Sequence, residues 1–175
     1  QLKQLCYHET AHASHYTKAG CGFWTELMLE ELNGISFHNQ NPYHQVDGIV
    51  DIAEAWAYHV GWFFADKNYP SGQRSRNWQF RLEDIRNKED GHMPSGVFHD
   101  LKDKVANGIE VTSDYCCGGN YPVNDNVQGY NSSQMFSLLG GNTNSLNSFY
   151  QQFKTNYGNS DPVLLQKMDD LFNSY

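Results

Sequence analysis

The stretch Cys6-Tyr7-His8-Glu9-Thr10-Ala11-His12-Ala13-Ser14-His15 decides the reading of this chain, because it carries the pattern HExxH. Nothing from Gln1 to Lys18 breaks a helix, and Leu2, Leu5 and Cys6 with Ala11 and Ala13 suit a half-buried one. On a helix, positions i and i+4 lie about 40° apart in azimuth and about 6 Å apart along the axis, so the rings of His8 and His12 can close on one ion. Glu9 then stands beside the metal rather than on it, where a carboxylate can take a proton from water and return it to a leaving group. Chance alone supplies such a pattern about 0.02 times in a chain of this length and histidine content, so the motif is informative but needs its context.

The chain has 175 residues, 39% hydrophobic and 14% aromatic, which fits one domain spanning 1–175 with a real core. A net charge of -8 with only 12 Lys and Arg argues against a nucleic-acid or anionic-membrane surface. No apolar run approaches the roughly 18 residues of a membrane span. The sequence starts inside the expected helix, so a further N-terminal part is expected ahead of residue 1. Cys6, Cys21, Cys116 and Cys117 are an even number in a chain rich in Asn, Gln, Ser, Gly and Tyr, which leans toward an exported bacterial protein, whether extracellular, periplasmic or at the cell surface. Cys6 and Cys21 on one helix would stand about 22 Å apart, so any bridge would run to Cys116 or Cys117; free buried thiols are the other reading.

Further along, Gly20 and Gly22 predict a turn, and Phe23 to Leu32 a short helix stopped by Asn33-Gly34. A polar loop from Ile35 to Val46 leads to Asp47 as N-cap of an apolar helix through Ile49, Ala53, Trp56, Val60 and Phe64. Helices are also expected over Asn77–Lys88 and from Met93-Pro94-Ser95 through Val105, with a short strand at Ile109–Thr112 and a Gly- and Asn-rich loop to Asn131. Ser132 or Ser133 caps a helix ending at Gly140-Gly141, Ser145 or a neighbour starts another to Gly158, and Asp161-Pro162 opens a last one. The expected fold is therefore mostly α, with about seven helices and little sheet.

A catalytic zinc takes three protein ligands and a water, so a third ligand is needed. The candidates are His15, Glu54, His59 and Asp51. His15 is about 10.5 Å along the axis from His8, too far to share the ion, and is expected to line the cleft or orient a neighbour. Position 18 is Lys, so the third histidine of a metzincin is absent. Glu54, in Asp51-Ile-Ala-Glu-Ala-Trp-Ala-Tyr58, is a carboxylate on an otherwise apolar helix and needs a partner, for which a metal or a salt-bridged Arg or Lys would serve.

HETAH followed by a helix bearing Glu-Ala-Trp-Ala-Tyr resembles the gluzincin arrangement of zinc metallopeptidases, as in the E-G-F-A-x-Y stretch of aminopeptidase N-like enzymes. The resemblance covers two stretches of some ten residues each. It implies a zincin-like catalytic domain in which His8, His12 and Glu54 bind Zn²⁺ and Glu9 is general base and acid, with a peptide or protein as substrate. Two features depart from that pattern. The sheet that precedes the HExxH helix in such enzymes has no counterpart in the seven residues before His8, and the Asp four residues past the Glu ligand is Tyr58 here, which leaves Asp51 to orient a ligand histidine. A donor to the tetrahedral oxyanion is expected from His99, Tyr115, Tyr121 or Tyr130. Two other classes fit the same residues: a zincin-like surface module that keeps the metal for structure and binds a protein or glycan, and a metal-free helical interaction domain.

Overall fold

A computed structural model describes residues 2–38, 48–69, 96–102 and 126–174. Within them the chain forms six helices and no strand: α1 (Leu2–His38), α2 (Gly48–Asn68), α3 (Val97–Asp100), α4 (Ser132–Ser137), α5 (Leu146–Tyr157) and α6 (Pro162–Ser174). The mostly helical expectation holds for these residues, with six helices in place of about seven. The helix expected over 77–88, the strand at 109–112, Asp47, Tyr115, Tyr121, Cys116 and Cys117 lie outside the described residues. Cys6 and Cys21 are exposed and form no disulfide among the described residues. No described helix is long and apolar enough to cross a membrane.

The α1 run is two helical segments meeting at Gly20, whose φ of 86° and ψ of 172° fall in a region open essentially to glycine. Gly22 is helical, and the second segment continues through Asn33-Gly34 to His38 rather than stopping there. A lone interior glycine with no proline behind it costs a helix only about 1 kcal/mol, too little to end it.

Helix α2 is the centre of the molecule. Ile52, Ala53, Ala55, Trp56 and Ala57 are all buried, so it is covered on nearly every side. Both halves of α1 contribute to the core, through Ala11 from the first and Phe23 and Leu27 from the second. On the other side Trp56 meets Phe98 of α3 at 5.4 Å and stacks on Phe136 of α4 at 5.5 Å. Phe98 in turn packs on Phe149 of α5, and Tyr150 stacks on Phe172 of α6 at 4.4 Å.

The C-terminal helices start where side chains can satisfy their first amide groups. Asn131 with Gln134 and Ser145 with Ser148 form capping boxes on α4 and α5, and Asp161 accepts from Val163 and Leu164 at the start of α6. Asn131, rather than Ser132 or Ser133, is thus the α4 cap. That helix also stops at Ser137, three residues before Gly140, where the Thr143 hydroxyl takes up the Leu138 carbonyl.

Candidate metal centre

Helices α1 and α2 approach closely at Gly61. A Cβ on Gly61 would lie 3.0 Å from the Gln4 carbonyl oxygen and 3.2 Å from His8 Cβ, so the two helices run nearly backbone to backbone there. At that spacing the short side chain of Glu54 spans the gap to α1. Its Oε2 lies 3.3 Å from His8 Nε2 and its Oε1 lies 3.1 Å from His12 Nε2. The two ring nitrogens are themselves 3.2 Å apart.

These distances fit a cation. Ligand atoms about 2.0–2.1 Å from a tetrahedral ion are about 3.3–3.4 Å from one another, close to all three separations. Two imidazole nitrogens in mutual contact cannot both direct a proton at each other, whereas one cation satisfies both lone pairs and the carboxylate together. Among the described residues this is the group of His, Cys, Asp and Glu side chains whose ligand atoms converge in this way. The Nδ1 atoms of His8 and His12 are buried and meet no hydrogen-bond partner among the described residues.

Electrostatics favour an ionised carboxylate. Burial alone would push the Glu54 carboxyl up, but hydrogen bonds from His12 and His8, together with their charge, outweigh it and bring the group down to about 2. Aromatic rings pack against both imidazoles. Tyr58, one turn past Glu54, packs edge-on against His8 at 4.9 Å, and Trp24 packs edge-on against His12 at 5.7 Å. Trp24 arrives there because the chain turns at Gly20. Glu9 is exposed on the turn between the two histidines.

The other expected site residues are placed as follows. Asp51 is half-buried one turn before Glu54 and makes no hydrogen bond to either ring nitrogen left open on His8 and His12. His15 is fully buried beside the centre, its ring against Phe23 at 4.8 Å and Trp24 at 5.8 Å, and neither ring nitrogen meets a hydrogen-bond partner among the described residues. Burial, and next the charge of His12, lower its pKa to about 4. His59 is buried on the far side of α2, contacting the Ser132 hydroxyl at 3.2 Å and stacking on Phe63. His99 is half-buried on α3, on that same side. Tyr130 packs on Phe153 and Tyr157 of α5, where burial, and next Tyr157, raise its phenol pKa.

The structure therefore brings His8, His12 and Glu54 together, with Glu9 exposed on the turn between the histidines and His15 buried beside them, while His59, His99 and Tyr130 lie away from the group. Tyr58 and Trp24 were missed by sequence reasoning. Tyr58 was detectable as the residue one helical turn from Glu54, whereas Trp24 reaches the site only through the chain's turn. Compared with protein-family models, curated proteins and solved structures, the chain matches none.

Proposed function

We propose that this chain is a zinc-dependent metallopeptidase of gluzincin type, a zincin-like domain exported by a bacterium, in which His8, His12 and Glu54 hold one Zn²⁺ and Glu9 moves the proton. The observation that carries the reading is the convergence of His8 Nε2, His12 Nε2 and the Glu54 carboxylate within 3.1–3.3 Å of one another, with the exposed Glu9 next to His8 in the chain. When bound, the ion supplies Lewis acidity, polarising the scissile carbonyl and making water more acidic. Glu9 accepts the proton of the attacking water and returns it to the leaving amine, which explains a carboxylate exposed on that turn rather than paired in the core. The Glu54 carboxylate balances charge at the centre. Tyr58 and Trp24 fix the two ligand rings and keep that side of the centre dry.

The test is zinc content alongside hydrolysis of a mixed peptide library. The wild-type chain is expected to hold one zinc, and the His12→Ala variant to lose it. Glu9→Gln is expected to keep zinc and lose about 100-fold or more in turnover. Undiminished turnover in that variant overturns the mechanism. A wild-type chain that holds zinc and cleaves nothing is instead a module that keeps the ion for structure and binds a protein or glycan partner.

A further inference from the structure

The solvent side of the proposed centre is bordered by aromatic surface that the proton-transfer chemistry does not use. Tyr16 is 50% exposed although it is a large ring next to the core. It stands one helical turn past His12, and seven residues past Glu9 it shares that residue's side of α1 to within about 20°. Its ring lies 6.1 Å from Trp24, and Trp24 lies 5.7 Å from the ligand His12, so the two rings form a continuous apolar wall leading away from the centre on the Glu9 side. The turn at Gly20 creates this wall by folding the second half of α1 back over the first.

We infer that Tyr16 and Trp24 form a substrate subsite for a large apolar or aromatic side chain close to the scissile bond. The inference rests on the zinc-peptidase reading above. The wall is continuous with the ligand His12, so a peptide lying along α1 with its carbonyl at the centre sets a neighbouring side chain on the two rings. An aromatic side chain gains ring contact as well as burial there.

The experiment measures binding rather than turnover, using the zinc-loaded protein and short peptide hydroxamates of the forms acetyl-Xaa-Gly and acetyl-Gly-Xaa, with Xaa being Phe or Ala. Titration calorimetry is expected to show Phe bound about tenfold or more tightly than Ala in at least one of the two positions. Tyr16→Ala is expected to reduce the Phe preference to about threefold or less while leaving the Ala ligand unchanged, and Tyr16→Phe to restore it. Equal affinities for Phe and Ala, or a preference that survives Tyr16→Ala, overturn the subsite and leave the centre standing. Failure of the wild-type chain to bind zinc overturns both.

Discussion

At the scale of single residues, the candidate centre is defined by how two histidines are held rather than by their presence. His8 is fixed from one side by the Tyr58 ring and from the other by the Glu54 carboxylate. A Tyr58→Ala variant should lower zinc affinity about tenfold by freeing that ring, and Tyr58→Phe should lower it hardly at all, as read by competition with a chromophoric chelator. A phenylalanine that behaved like alanine would mean that the hydroxyl, not the ring, is what matters. The residues His8, Glu9 and His12 were legible in sequence because their spacing is a property of one helix. The role of Tyr58 was not, since its contact with His8 depends on where α1 lies. His15 and His59 show the same limit from the other direction: both looked like ligand candidates, and both are buried in aromatic surroundings where a neutral ring packs.

At the scale of elements, the centre depends on how closely α1 and α2 approach and on where α1 turns. Gly61→Ala gains about 1 kcal/mol in helix propensity but adds a carbon 3.0 Å from the Gln4 carbonyl oxygen, so α1 must give by a few tenths of an ångström. The expected outcome is an unchanged or slightly altered melting temperature with zinc affinity reduced about tenfold; unaltered affinity would show that the centre tolerates the shift. Gly20→Ala acts differently. A Cβ there meets nothing within 4 Å, so its effect comes from the backbone alone, at about 1–3 kcal/mol of stability measured by urea denaturation. The glycine pair at 20 and 22 announced a turn in the sequence. Which of the two makes it, and that the second segment folds back onto the histidines, depended on Phe23 and Leu27 finding the core.

At the scale of the whole molecule, burial of histidine couples stability to pH. His59 has its pKa lowered to about 3 by burial, and next by the charge of His99 and Lys102. In the unfolded chain the same ring takes a proton near pH 6.5. Between those values the unfolded state binds more protons, so stability is undiminished above about pH 6.5 and falls as the pH drops, by up to about 1.4 kcal/mol per pH unit for each such group. His15, lowered to about 4, adds to the loss in the same direction. Comparing urea midpoints at pH 7.5 and 5.0, His59→Gln should lose less stability on acidification than the wild type by about 2 kcal/mol, and an identical loss would exclude His59 as a source. What the sequence determined by itself was local: a helix able to present His8 and His12 to one ion with Glu9 beside them, helix starts marked by Ser145 and Asp161, and a second apolar helix bearing one carboxylate. Those features follow from periodicity and capping within a few residues of chain. Only the tertiary structure decided that Glu54 faces both histidines, that Tyr58 and Trp24 pack on their rings, and that His15, His59 and Tyr130 lie against aromatic rings. Each of those outcomes depends on the separation and rotation of helices distant in sequence, which the burial of the shared core sets and no local pattern encodes.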